Sequence, residues 1–153
     1  MKYYFGFSWI GLVVIFLILV PNIFYFILPP TNVLQDANSE GIMLSILEHG
    51  SQMVMFFLFI FLIRDKKIEV NLFYMISMSI FLLLYYYLWS RYFMAGCDYT
   101  LLSKSLFGIP APMAVFPIAY FLLSALWFGN WPAFGTTLIF GAAHLAVCYV
   151  TFK

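Results

Sequence analysis

From Phe7 to Leu28 the chain carries no charged residue, and the run stops only at Pro29-Pro30. A bilayer core of roughly 30 Å takes about 20 apolar residues to cross as a helix. A lone strand at that depth would leave its backbone N–H and C=O groups unsatisfied, so a run of this length reads as a transmembrane helix. Four more runs follow. The second ends at Ile63, just before Arg64, and counting back about 20 residues starts it near Met43, which places Glu48 and His49 inside the span. With the third, fourth and fifth, the expected helices are 7–28, 43–63, 70–91, 107–128 and 132–152. Pro132 suits a first helical turn, where its missing N–H costs nothing. The connections are Thr31 to Gly41, Arg64 to Glu69, a loop around Gly96-Cys97-Asp98, and a tight Gly129-Asn130-Trp131 turn. None is long enough for a soluble domain. The fold expected is all-α, a polytopic helical bundle of five transmembrane helices forming one integral membrane domain over residues 1–153.

Composition agrees with lipid as the main solvent. The 153 residues are 65% hydrophobic and 8% charged, against about 25% charged in soluble domains. A net charge of +1 provides no basic field to attract nucleic acid and no acidic surface for a basic partner. Aromatic residues make up 22% of the chain, which suits interfacial belts and lipid-facing packing. Lys2 ahead of an apolar run resembles a secretory signal, but no A-x-A-type cleavage site follows, so the first segment is expected to remain as an anchor.

Basic residues flanking the spans set the expected orientation. The second loop holds Arg64, Lys66 and Lys67, whereas the first holds Asp36 and Glu40 and no cation. The second loop and Lys2 are therefore placed in the cytoplasm, with the amino terminus inside and the carboxyl terminus outside. Arg91, Lys104 and Lys153 fall on the other face, so the bias rests on the second loop.

With that orientation the polar and helix-distorting residues favour the outer leaflet: Asn22 after Pro21, then Glu48, His49 and Gln52, Arg91, Pro110, Pro112 and Pro117, and His144. Glu48 is the sharpest of them, because an ionisable group within a span costs about 2.5–3.5 kcal/mol on insertion scales and normally faces the bundle interior or water. Ser45, Glu48 and Gln52 share a helical face, which should turn inward. Arg91 is the expected counter-charge, with Tyr87 on its own face as a hydrogen-bond donor; alternatively Glu48 reaches water and Arg91 snorkels to the headgroups. Thr137, Gly141, His144 and Cys148 form a stripe of small and polar residues, either a packing seam or a pocket wall. Prolines in the fourth helix free backbone carbonyls, as cavities and ordinary bends both require.

No cofactor motif is present, and His49, His144 and Glu48 lack the spacing of a known metal site. Cys97 and Cys148 are not spaced as a metal-binding or redox pair, and a disulfide between them at the outer face is chemically possible.

Gly6-Phe7-Ser8-Trp9-Ile10-Gly11, Pro21-Asn22, Glu48, Trp89-Ser90-Arg91-Tyr92-Phe93, Gly108-Ile109-Pro110 and Gly141-Ala142-Ala143-His144 are spread over most of the chain. Together they resemble uncharacterised small multi-span membrane proteins of firmicutes. The resemblance implies a multi-span membrane protein and supplies no mechanism. In that pattern acidic residues often stand where this chain has Gln52 and Tyr86, while Glu48 and Arg91 keep their matches.

Three functional readings follow. The first is an outward-facing cavity lined by Asn22, Glu48, Gln52, Tyr87, Arg91 and His144 that binds or transports a small ligand or lipid headgroup. The second is an accessory or immunity-type protein, docked on a membrane-protein partner or on further copies of itself, in which the polar cluster is structural. The third is a lipid-modifying enzyme with Glu48 or His144 as acid or base, although no nucleophile elbow, Walker motif or metal triad accompanies them.

Overall fold

The computed structural model describes residues 2–32 and 41–152. Its helices are α1 (Trp9–Ile27), α2 (Ile42–Phe61), α3 (Leu72–Met94), α4 (Pro112–Phe128) and α5 (Trp131–Thr151). Three of them start on side-chain caps that satisfy otherwise orphaned N–H groups. Ser8 Oγ accepts from Gly11 N, Asn71 Oδ1 from Phe73 N and Tyr74 N, and Asn130 Oδ1 from Ala133 N. α1, α2, α3 and α5 are long and apolar enough to cross a membrane. Their outward faces carry large apolar side chains such as Phe16, Phe26, Met53, Phe57, Leu83 and Ile139.

α4 differs from its expected form. Phe107, Gly108 and Ala111 take left-handed backbone angles, and Leu106 pairs with Ile109 in a single bridge. The helix therefore begins five residues later than Phe107, at Pro112. Pro110 lies before it, Pro112 occupies its first turn, and only Pro117 interrupts it. Its 17 residues include Ala114, Phe116, Ile118, Tyr120, Phe121, Ser124, Ala125 and Phe128, all buried. A helix buried on nearly every side is a central one. α3 and α5 flank it, α2 lies along α5, and α1 packs against α2 and α3.

A second departure is a short ribbon in which β1 (Tyr3–Phe5) pairs antiparallel with β2 (Leu62–Arg64). Two apolar residues beside a helix carry no period of their own, so the sequence absorbs Leu62 and Ile63 into the second helix. Bonds from Gly6 N to Phe61 O, Ser8 N to Ile60 O and Asp65 N to Lys2 O extend the pairing. Tyr3 Oη donates to Gly129 O and accepts from Trp131 N, and Asn130 Nδ2 donates to Leu58 O and Leu62 O. The ribbon end thus unites Lys2, the Arg64–Glu69 connection and the α4–α5 turn.

At the opposite, capped end, Thr31 and Asn32 clip onto the segment after α3. Thr31 N donates to Cys97 O, and Asn32 Nδ2 to Asp98 Oδ1. Asp98 also accepts from the amide and hydroxyl of Thr100, opening a 3-10 turn over Tyr99–Leu102. The Asn32 amide and then the Thr100 donors hold the Asp98 carboxyl below its ordinary pKa. Asp36, Glu40 and Lys153 lie outside the described residues.

Lipid offers no hydrophobic drive for helix pairing, so close approach and polar links decide the neighbours. A Cβ on Gly11 would stand 2.0 Å from the Phe59 carbonyl oxygen, and one on Gly141 would stand 2.9 Å from Ile118 Cγ2. Pro21 has no N–H for the Leu17 carbonyl four residues earlier. Tyr86 of α3 supplies the missing donor, its hydroxyl reaching Leu17 O at 2.6 Å.

Candidate functional site

The periodicity of each helix carries its polar residues inward at the capped half of the bundle. On α2 the buried face runs Glu48, Met55 and Phe59, with Gln52 between them. On α3 it runs Tyr85, Leu88, Trp89 and Tyr92. These faces enclose a cavity of about 260 Å³ to which all five helices contribute. Its polar lining consists of Asn22 and Tyr25 from α1, Gln52 from α2, Tyr85 and Trp89 from α3, and His144 and Cys148 from α5. Its apolar walls include Ile18, Phe56, Phe121 and Phe140, and Leu102 of the 3-10 turn stands at its rim. At about 1.5 Å per residue, Asn22, Glu48, Trp89 and His144 lie at similar depth, roughly 7–11 Å from the capped ends of their helices.

Glu48 is 8% exposed and pairs with His144, its Oε1 sharing a hydrogen bond with the imidazole Nδ1. The pair joins α2 to α5. His49 Nδ1 stands 4.0 Å from the other carboxylate oxygen but bonds to Ser45 O at 2.9 Å on the exposed side. His144 stacks on Phe140, with ring planes 16° apart, which fixes the imidazole between the carboxylate and the cavity. Asn22 Nδ2 donates both to Ile18 O and to Tyr85 Oη, each at 2.9 Å, tying α1 to α3. Among the described residues Gln52 makes no side-chain hydrogen bond, and the buried Trp89 Nε1 has no acceptor in full hydrogen-bond geometry, with only a weak contact to Tyr85. A buried N–H without an acceptor costs about 1–3 kcal/mol.

The expected lining is therefore divided. Asn22, Gln52 and His144 meet at the cavity, and Glu48 stands behind His144. Tyr87 and Arg91 do not join them. Tyr87 is 53% exposed, because two residues along a helix is more than half a turn from the inward-facing Tyr85. Arg91 shares Tyr87's side of α3 and forms no ion pair with Glu48; it sits half-buried in the last helical turn, where a cation is favoured by the exposed carbonyls. The partner of Glu48 is a histidine instead, because α2 lies along α5 and not along α3.

Tyr85 and Trp89 were not among the expected lining residues. Their signal was the spacing of Tyr85, Trp89 and Tyr92, one helical face bearing three polar-tipped aromatics. The stripe on α5 serves both as seam and as wall: Thr137 and Gly141 are buried against neighbouring helices, and His144 and Cys148 face the cavity. Cys97 and Cys148 are not joined by a disulfide. Among the described residues, no group of three His, Cys, Asp or Glu side chains is placed to hold a metal ion.

Among the described residues the lining has no lysine or arginine and no exposed carboxylate, so these residues suit hydrogen bonding and apolar contact, not the holding of a net charge. No family model, curated protein or solved structure matches the chain.

Proposed function

We propose that this chain is a five-span protein of the cell membrane whose central cavity binds a small ligand or lipid in the outer leaflet. In this reading α4 is the fifth span. Its 17 residues reach about 25 Å, less than the hydrocarbon thickness, and its position among the other helices shields both ends from lipid. The ribbon end is cytoplasmic, since it gathers Lys2, Arg64, Lys66 and Lys67, and the capped end with the cavity faces outward. The resemblance to small firmicute membrane proteins is compatible with this placement.

The observation that carries the reading is a cavity at one level of all five helices, with polar groups left unbonded inside it. A bundle packed only for stability would fill such a space or pair such groups. The Glu48–His144 link holds α2 against α5 beside the cavity and presents the imidazole to it. It is a positioning element in this scheme.

The test is a thermal-shift screen of the purified full chain in detergent against membrane lipids and small polar solutes. A ligand that raises the melting temperature should lose its effect in Ala114→Leu, which fills the cavity from α4, and in Glu48→Ala, which releases His144. A shift that survives in both variants would move binding elsewhere on the molecule.

A further inference from the structure

We infer that the cavity is built for an uncharged amphiphile whose polar end is a hydroxyl, a lipid alcohol and not a phospholipid headgroup. The inference rests on the binding role proposed above and names its ligand chemistry. Three groups at the cavity wall point to it. Trp89 Nε1 is a buried donor that finds no acceptor in full hydrogen-bond geometry among the described residues, only a weak contact to Tyr85. Pro117 has no N–H to give the Met113 carbonyl four residues before it, and both residues line the cavity. His144 spends Nδ1 on Glu48 and makes no hydrogen bond through Nε2. Whichever of the pair holds the shared proton, Nε2 offers either a lone pair or an N–H.

A hydroxyl is complementary to each of the three: it accepts from the indole, and from the imidazole where Nε2 holds a proton, while its one O–H donates to the carbonyl or to an imidazole lone pair. A carbonyl oxygen can accept from the indole and from a protonated Nε2, but it has no donor for the Met113 carbonyl or for an imidazole lone pair. A phosphate or carboxylate would arrive with a charge that no described lining residue neutralises, since Arg91 and Lys104 are absent from it and Glu48 stands behind His144. A buried unpaired charge is far costlier than a buried hydroxyl. A quaternary ammonium meets the same objection, for no carboxylate faces the space. The body of the ligand is specified by Ile18, Leu19, Phe56, Phe121 and Phe140, which offer aliphatic and aromatic walls and no further polar atoms from their side chains.

Two kinds of membrane alcohol share this chemistry, diacylglycerols and isoprenols, and the experiment separates them. The full chain in detergent is titrated with dioctanoylglycerol, with dioctanoyl phosphatidic acid, with trioctanoylglycerol, and with farnesol beside farnesyl phosphate, read by native mass spectrometry and melting temperature. One or both alcohols should bind, and the matched phosphates and the triester should bind at least tenfold more weakly. Trp89→Phe keeps the aromatic wall, removes the donor, and should weaken alcohol binding about tenfold. Equal binding of alcohol, phosphate and triester, all lost in Ala114→Leu, would overturn the hydroxyl inference while keeping the cavity as a ligand site. Tighter binding of the phosphates would overturn it in favour of an anionic headgroup. Absence of any binding sensitive to Ala114→Leu would overturn both.

Discussion

The two ends of this bundle are built on opposite plans. At the ribbon end almost every polar group has a designated partner. One tyrosine hydroxyl serves both sides of the α4–α5 turn, and one asparagine caps a helix while its amide bonds two carbonyls of α2 and β2. Helices there approach until α1 and α2 touch backbone to backbone at Gly11. At the capped end the helices part around a cavity, Trp89 and Tyr92 bury polar atoms without partners, and three non-glycine residues take left-handed angles. Such costs persist where the remainder of the fold supplies the stability. The contrast places close packing in one half and the cavity in the other.

That contrast is open to direct attack. The largest effect is expected from Gly11→Ala, whose new methyl must push α1 off the Phe59 carbonyl. A loss of about 3 kcal/mol, seen as a sharp fall in melting temperature or in yield of folded protein, is expected; a near-neutral result would show that the α1–α2 contact is not close-packed. Asn130→Ala removes a helix cap and two long-range donors, and should cost about 2–3 kcal/mol. Asn130→Asp keeps the cap but sets a carboxylate against two carbonyls, so it should rescue little of that loss.

At the capped end the sign should change. Tyr92→Phe deletes a fully buried hydroxyl that has only a weak contact to the Cys97 thiol and no hydrogen bond of full geometry, and it should leave the melting temperature unchanged or raise it, within about 1 kcal/mol. A loss as large as that of Asn130→Ala would erase the distinction between the halves. The smallest effect concerns acid. Asp98 has its pKa lowered by folding, so its contribution is complete above the ordinary carboxylate value of about 4 and is lost as pH falls through the lower folded value. The Asn32–Asp98 clip should therefore hold at neutral pH and release only below the ordinary carboxylate range. Carboxyl NMR signals would register this as an Asp98 titration below about 4, accompanied by movement of the Thr100 amide resonance. An Asp98 midpoint at the ordinary value would mean that the clip is not formed.

How much of this was legible in the sequence depends on the distance over which each decision is made. Helix positions were legible because span length and hydropathy are local: α1, α2, α3 and α5 begin and end within about three residues of expectation, well inside the scatter of such boundaries. The start of α4 was not, because Gly108 and Pro110 lie in an apolar stretch whose backbone reversal hydropathy does not register. Glu48 and His144 stood out as polar residues within spans, yet their pairing did not, since periodicity gives the face of a helix and not its neighbour. Arg91 drew attention as a charge of opposite sign, and the packing order of the helices decided otherwise. Trp89 was noted only within the Trp89–Phe93 segment and not as a lining residue, because a tryptophan among aromatics reads as ordinary core until its N–H is found without a well-placed acceptor.

The Pro21 carbonyl repair ties two distant positions into one heritable unit. With Pro21 in place, Tyr86 is bound to keep a donor over the Leu17 carbonyl; with any residue bearing an N–H at position 21, the helix supplies its own bond and the hydroxyl becomes redundant. Drift at Tyr86 is therefore permitted only after drift at Pro21, and the two substitutions made together should be milder than loss of Tyr86 alone. The order in which these sites can change is written into the kink of α1.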